Sequence, residues 1–230
     1  MTLPYEHLFF DLDNTLWDFG TNCAVTLTHL HEKHALDPER IPLPDFIKKY
    51  RQVNDELWLG FHHGTATKED IRSQRFTRTF QHFGVSKIPS GIDEEFLEIC
   101  PAQGHVYPDT HTVLDYLQAK GYKMHIITNG FKETQHVKIS TSGLKPYFIE
   151  VIETEDCGFK KPDLRIFEYS FNKAKAEAAR SLMIGDDYEA DVLGAKNAGM
   201  NQVFVNHHNI VPSVRPTHEI KLLKELLTIL

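Results

Sequence analysis

The sequence has few of the features that mark secreted, membrane-spanning or disulfide-stabilised proteins. Its three cysteines, Cys23, Cys100 and Cys157, lie far apart and form no CxxC pair, so we expect reduced thiols in a cytoplasmic protein and no disulfide framework. No window approaches 18 apolar residues, and the N-terminus has no basic segment followed by a signal-length apolar run. These absences argue against secretion and against a membrane partner.

An excess of positive charge is also absent. The chain has 25 Lys and Arg against 32 Asp and Glu, a formal net charge of −7, which argues against a nucleic-acid polymer or an anionic membrane as partner. Neither GxxxxGK[ST] nor GxGxxG occurs, so a P-loop or dinucleotide site has no support. The 41% of hydrophobic residues suffice for a soluble globular core, but the composition does not set the oligomeric state.

Short apolar segments alternate with segments of helical spacing from residue 101 onward. Strands are predicted at 7–12, 122–130, 148–156, 181–187 and 202–207. Residues 19–100 lack this alternation and predict several helices separated by turns. The sequence therefore predicts an α/β protein, in which a Rossmann-like doubly wound parallel sheet core (1–18 and 101–230) carries an inserted all-helical domain (19–100).

Polar side chains follow several of the predicted strands. They are Asp11, Asp13, Thr128, Asn129, Asp186, Asp187 and Asp191, and Lys161 lies in a loop after the third strand. Because ligands of open parallel sheets bind beyond the carboxyl ends of the strands, we expect these side chains to meet in one crevice.

Such a group of aspartates requires a cation, since the carboxylates repel one another strongly away from water. Hard oxygen ligands without His or Cys favour Mg²⁺ over zinc. A phosphoryl group is the substrate that bridges a metal, a lysine and hydroxyl donors. One carboxylate can attack phosphorus, and a second can protonate the leaving oxygen and later deprotonate water.

The ordered set DLDNT, TNG, KKPD and GDDYEAD resembles the four motifs of the haloacid dehalogenase-like hydrolase superfamily. The resemblance implies that Asp11 is the nucleophile and a metal ligand. It also implies that Asp13 is the general acid/base, with its backbone carbonyl on the metal.

The remaining motif positions receive roles from the same resemblance. Thr128 and the amide of Asn129 are expected to bind phosphate, and Lys161 is expected to neutralise charge. Asp186 is expected to bind Mg²⁺, while Asp187 and Asp191 bind through water or orient Lys161. The alternatives without a functional role are a helix N-cap for Asp187, a solvated lysine pair at 160–161 and a plain turn at 128–130.

Asp13 favours phosphate ester hydrolysis over dehalogenation. Dehalogenase members of the superfamily lack an acid/base aspartate two residues after the nucleophile, because a halide needs no protonation. Phosphomutases share the aspartate pair but carry Gly after it, where this chain has Asn14. The helical insert resembles the mobile cap of the superfamily, which we expect to recognise the rest of the substrate.

Residues 54–76 resemble the house-cleaning pyrimidine 5′-nucleotidases, as do TLWDF and TNGF. The resemblance implies a nucleoside monophosphate substrate. Asn54 and Arg75 would then bind the base or sugar, and Trp58, Phe61 and Phe76 would stack on the base. Packing inside the helical domain is the alternative for these residues. A sugar-phosphate or phosphoglycolate-type phosphatase, and a binding or regulatory protein with the same fold, are the alternative functions.

Overall fold

The computed structural model describes residues 4–230, which form two compact units. The sheet unit comprises residues 4–19 and Gly104–Leu230, and the helical unit comprises Gly20–Gln103. Among the described residues, none of the helices combines the length and apolar character that crossing a bilayer requires.

The sheet unit contains a six-stranded parallel sheet in the order β3-β2-β1-β4-β5-β6. Its strands are β1 (His7–Phe10), β2 (Lys123–Thr128), β3 (Phe148–Glu153), β4 (Ser181–Gly185), β5 (Asn201–Val205) and β6 (His218–Ile220). The first five match strands predicted from the sequence, and the doubly wound α/β core is confirmed. The sixth was not predicted, because it is three residues long and follows a segment with two prolines.

The helices of the sheet unit follow its strands along the chain. They are α5 (Thr110–Ala119), α6 (Lys132–Thr141), α7 (Thr154–Cys157), α8 (Leu164–Ala174), α9 (Gly194–Asn197) and α10 (Leu226–Ile229), with a π-helical turn at Tyr188–Leu193 directly before α9. Single 3₁₀ turns lie at Lys145–Tyr147, Ala178–Arg180 and Leu223–Glu225.

The central strand β1 is buried along its whole length, as expected for a parallel strand with helices on both faces. On one face Phe9 packs with Ile127 and Met183 of the neighbouring strands and with Phe167 of α8. A strand buried on both faces cannot shift its register without exposing apolar side chains. The residues that follow β1 are therefore fixed in position.

The helical unit contains α1 (Phe19–Lys33, which begins at the boundary between the units), α2 (Leu43–His62), α3 (Lys68–His82) and α4 (Ile92–Ile99). The start of α3 is defined by a capping box, in which Thr67 Oγ1 accepts from the Asp70 N–H at 3.1 Å and the Asp70 carboxylate accepts from the Thr67 N–H at 2.8 Å. Aromatic side chains from α2, α3 and α4 fill the core of the helical unit.

Candidate active site

The carboxyl ends of β1 and β4 bring three carboxylates together. Phe10 pairs with Ile184 in register, and the next backbone N–H, that of Asp11, donates to Ile184 O at 2.9 Å. Each of Asp11, Asp186 and Asp191 offers an oxygen within 4.8 Å of the other two. Residues far apart in the sequence thus meet because their strands are neighbours in the sheet.

The Lys161 ammonium lies between two of these carboxylates. Its Nζ donates to Asp11 Oδ1 at 2.7 Å, to Asp191 Oδ1 at 2.6 Å and to Ile127 O at 2.7 Å. The residue is 2% exposed, so all three ammonium protons are satisfied by the protein. Lys161 is therefore a buried charge of this site and not a member of a solvated lysine pair.

Asn129 holds the backbone of Lys161 from the end of β2. Its side-chain Nδ2 donates to Lys161 O at 2.9 Å, and its Oδ1 accepts from the Lys161 N–H at 2.8 Å. Both ends of the carboxamide are therefore occupied. The amide of Asn129 that remains for a ligand is its backbone N–H.

Thr128 has its hydroxyl oxygen occupied as an acceptor. Thr128 Oγ1 accepts from the Gly130 N–H at 3.0 Å and from Gln135 Nε2 at 2.8 Å. A hydroxyl accepts two hydrogen bonds and donates one. The hydroxyl proton of Thr128 is thus left to donate to an incoming oxygen.

The pKa shifts of the site carboxyl groups reflect burial and an excess of negative charge. Burial, followed by the charge of Asp11, raises the pKa of Asp186 well above its ordinary value. Burial also raises the pKa of Asp11, against the opposing effect of Lys161, and raises that of Asp191 to about 7. Burial opposes the charge of Lys161, but Asp11 and Asp191 outweigh it and raise the lysine pKa. One lysine does not balance three carboxylates.

This donor set fits a hard divalent cation. The three ligand candidates offer only carboxylate oxygens, the donors that Mg²⁺ prefers. Asp191 is already occupied, because Oδ1 accepts from Lys161 and Oδ2 accepts from the Asp187 N–H at 3.1 Å. Asp11 and Asp186 are the side chains that would hold the ion, and Thr15 Oγ1 orients Asp186 with a hydrogen bond of 3.0 Å to its Oδ1.

Asp187 and Asp191 have different structural tasks. Asp187 Oδ1 accepts from the N–H groups of Glu189 and Ala190, at 2.9 and 2.8 Å, and so caps the turn Tyr188–Leu193. This is the N-cap role that the sequence predicted as an alternative for Asp187. Asp191 is 1% exposed and contacts Lys161. Gly185 leaves the space that Asp191 fills, since a Cβ at that position would lie 2.1 Å from Asp191 Oδ2.

Asp13 is held by two residues that the sequence did not suggest. Lys138 Nζ lies 2.7 Å from Asp13 Oδ1 and 3.0 Å from Oδ2, and Gln135 Nε2 donates to Oδ2 at 2.8 Å. Both side chains project from α6, the helix that follows the TNG motif. Their i, i+3 spacing on that helix is the one signal that places them on a common face.

The aromatic candidates in the helical unit differ in burial. Phe76 is fully buried and packs against Tyr50, with ring centroids 4.8 Å apart, and against Phe96, at 5.8 Å. It is a core residue, so stacking on a base, one of the two predicted alternatives, is wrong for Phe76. Trp58 is only half-buried and packs edge-to-face with Phe61 at 5.6 Å.

Asn54 and Arg75 are buried polar residues with incomplete hydrogen bonding. Asn54 is 3% exposed and Arg75 is 6% exposed. Among residues 4–230, Asn54 Oδ1 and Arg75 Nε have no hydrogen-bond partner. The Arg75 guanidinium lies 5.0 Å from the ring centroid of Phe96, which is a cation–π distance. Their predicted role in substrate binding stays a prediction.

Comparison with known proteins gives a consistent result. The family model described as haloacid dehalogenase-like hydrolase matches residues 5–199. The chain is 32% identical to the pyrimidine 5′-nucleotidase YjjG of Escherichia coli, over 97% of each chain. It is 38% identical to the glyceraldehyde 3-phosphate phosphatase of Methanothermobacter thermautotrophicus, over 86% of this chain and 84% of the relative.

A solved structure shares the whole architecture. The magnesium-bound crystal structure of the hydrolase YfnB from Bacillus subtilis superposes with a TM-score of 0.88 at 28% identity, covering 99% of each chain. The family match spans the motifs that contain Asp11, Thr128, Lys161 and Asp186. The chain belongs to the haloacid dehalogenase-like hydrolases.

Proposed function

We propose that the chain is a Mg²⁺-dependent phosphomonoesterase that works through an aspartyl-phosphate on Asp11 and prefers pyrimidine nucleoside 5′-monophosphates. The observation that carries the proposal is the arrangement of two aspartates after one strand. Asp11 is hydrogen-bonded to Lys161, whereas Asp13, two residues later, is held separately by Lys138. One carboxylate is thus placed for attack and the other for proton transfer.

In the first step an Asp11 oxygen attacks phosphorus, and the bond between phosphorus and the ester oxygen breaks. The electron pair of that bond goes to the leaving oxygen, which takes a proton from Asp13. The Thr128 hydroxyl, the Asn129 backbone N–H and the Lys161 ammonium bind the phosphoryl oxygens. Mg²⁺, when bound by Asp11 and Asp186, supplies positive charge that draws the phosphate dianion to a carboxylate.

In the second step Asp13 takes a proton from water, and the water oxygen attacks phosphorus. The bond to Asp11 breaks, and inorganic phosphate leaves while the Asp11 carboxylate is restored. Lys161 stays charged throughout, because its contacts with Asp11 and Asp191 raise its pKa. Asp191 acts through Lys161, which it holds at 2.6 Å.

The helical unit is proposed as the cap that selects the leaving group. The pyrimidine 5′-nucleotidase YjjG matches over nearly the full length, helical unit included, and supports a nucleotide as substrate. Trp58, Asn54 and Arg75 are the proposed contacts to the nucleoside. The unpartnered atoms of Asn54 and Arg75 are polar groups that a base or sugar would satisfy.

A sugar-phosphate phosphatase is the second candidate function. The observation that favours it is the 38% identity to a glyceraldehyde 3-phosphate phosphatase. Both candidates use the same phosphoryl chemistry and differ only in the leaving group. A panel of dUMP, dTMP, UMP, their purine counterparts and small sugar phosphates, compared by kcat/KM, separates them. A preference for a sugar phosphate by orders of magnitude would contradict the nucleotide assignment.

The phosphatase proposal is tested with para-nitrophenyl phosphate in the presence of Mg²⁺ and of a chelator. We expect metal-dependent hydrolysis by the wild type and its loss in Asp11→Asn with an unchanged circular dichroism spectrum. Glu168→Gln, which removes an exposed carboxylate of α8, is the matched control and should stay active. A wild type without metal-dependent hydrolysis points to the binding or regulatory alternative.

A further inference from the structure

Two side chains of α6 donate hydrogen bonds to the carboxylate of Asp13. The Lys138 ammonium donates to both oxygens, at 2.7 and 3.0 Å, and Gln135 donates to Oδ2 at 2.8 Å. The Asp13 side chain keeps 27% of its surface exposed, although both of its carboxylate oxygens accept hydrogen bonds from α6. Such an arrangement suits a carboxylate that exchanges protons with a substrate or with water.

Lys138 is itself fixed by its surroundings. It is 8% exposed, and its ammonium lies 4.6 Å from the ring centroid of the fully buried Trp17, within the range of a cation–π interaction. A surface lysine that merely neutralised charge would retain its rotamer freedom. The Lys138 side chain is therefore restricted to a narrow range of rotamers.

Gln135 connects Asp13 to the phosphate-binding end of β2. The same Nε2 that donates to Asp13 donates to Thr128 Oγ1 at 2.8 Å. The side chain is fully buried and occupies the space beside Gly130, where a Cβ would lie 1.6 Å from Gln135 Nε2. The glycine of the TNG motif thus leaves the space that the Gln135 side chain occupies.

The two residues can serve different protonation states of Asp13. An ammonium only donates hydrogen bonds, so Lys138 suits the ionised carboxylate. A carboxamide donates from nitrogen or, turned over, accepts at oxygen, and Gln135 Oε1 is buried with no hydrogen-bond partner among residues 4–230. Gln135 can thus hold Asp13 both before and after it transfers its proton.

We propose that Lys138 and Gln135 are positioning residues, which hold Asp13 where it exchanges protons with the leaving oxygen and then with water. The proposal rests on the proposed phosphatase function, since it assumes the two steps described above. Neither residue gives or takes a proton. Lys161 performs the corresponding task for Asp11, so two separate lysines keep the two carboxylates in two separate positions.

Para-nitrophenyl phosphate separates the two steps. Its phenolate leaves without protonation, so formation of the aspartyl-phosphate needs no acid, whereas its hydrolysis still needs Asp13 as base. In Lys138→Met we expect a rapid burst of nitrophenolate of one equivalent per chain, followed by a steady rate at least roughly tenfold below that of the wild type. Intact-mass spectrometry of the quenched sample should show a phosphorylated chain that the wild type does not accumulate.

Three further variants sharpen the test. Lys138→Arg, whose guanidinium can donate to both oxygens, should recover most of the steady rate. Gln135→Leu should show the same burst with a smaller defect, which keeps the proposal testable if Lys138→Met does not fold. Lys145→Met, an exposed lysine beyond α6, is the control and should match the wild type.

Two results would overturn the positioning role. One is a steady rate of Lys138→Met within twofold of the wild type. The other is a slow Lys138→Met with neither burst nor phosphorylated chain, which indicates a general structural defect. By contrast, a wild type that does not hydrolyse the ester, or an Asp11→Asn variant that does, would refute the proposed function itself.

Discussion

A buried pair of histidines should make the sheet unit sensitive to acid. His7 of β1 and His125 of β2 are 2% and 1% exposed, and His7 Nδ1 lies 3.0 Å from His125 Nε2. Burial, assisted by the charges of His7 and Lys123, lowers the pKa of His125 from 6.5 to about 4. The folded state therefore favours the neutral ring, and the unfolded chain binds a proton first as the pH falls.

The direction and size of the effect follow from this difference. Well above pH 6.5 both states are neutral at His125, and its contribution to stability is fully present. Between pH 6.5 and 4 the unfolded state gains a proton that the folded state does not. Proton linkage gives a loss of about 2 kcal/mol in the free energy of unfolding between pH 7 and pH 5. His7, whose pKa is also lowered by burial, adds to the loss.

Urea unfolding at pH 7 and at pH 5 measures this loss. A Trp58→Phe background leaves Trp17 as the only tryptophan, so fluorescence then reports the sheet unit. We compare the free energy of unfolding of His125→Gln with that of the background at each pH. This difference should shift in favour of the variant by about 2 kcal/mol between pH 7 and pH 5, because the variant lacks the titrating ring. The exposed His208→Gln is the matched control, and its effect on stability at pH 5 should be much smaller than that of His125→Gln. An equal effect of His125→Gln at both pH values would refute the reasoning.

Three further predictions concern the site and the helical unit. Gly130→Ala should reduce turnover of para-nitrophenyl phosphate about as much as Gln135→Leu does, because the new Cβ displaces Gln135 from Asp13; normal turnover would contradict the contact. Saturating Mg²⁺, at a hundred times its dissociation constant, should stabilise the wild type by about 2.7 kcal/mol in thermal unfolding. Asp186→Asn should lose most of that gain, and an undiminished shift would exclude Asp186 as a ligand. In a Trp17→Phe background, where Trp58 is the only tryptophan, Phe76→Ala should destabilise the helical unit by about 3–5 kcal/mol as followed by fluorescence, while the exposed Leu59→Ala should not; a stable Phe76→Ala would contradict its place in the core.

The parts of the site that lie at strand ends were predictable. Alternating apolar and helical segments located five strands, and the rule for parallel sheets then brought Asp11, Thr128 and Asp186 to one edge. The first strand, β1, is an apolar run that ends in Asp11. Such a run indicates burial on both faces, and the aspartate after it indicates the sheet edge. These inferences depend only on local sequence and on the geometry of the fold.

The contacts made by helix side chains were not predictable in the same way. α6 has no clear apolar stripe, and its Gln135 and Lys138 are polar residues of the kind that usually face solvent. Their burial depends on Asp13, which is more than a hundred residues away in the sequence. The pairing of the Asn129 carboxamide with the Lys161 backbone is likewise a tertiary contact that no local pattern encodes.

The position of β1 in the sheet has a consequence for synthesis on the ribosome. His7 pairs with Lys123 on one side and with Ser181 on the other, and both partners are translated after the whole helical unit. Gly20–Gln103 emerges as one contiguous stretch that can compact first. Until the partner strands are synthesised, Leu8, Phe9 and Phe10 of the first strand stay unshielded. Nascent chains stalled before residue 123 should thus present this apolar strand to chaperones, and chains stalled beyond β4 should not.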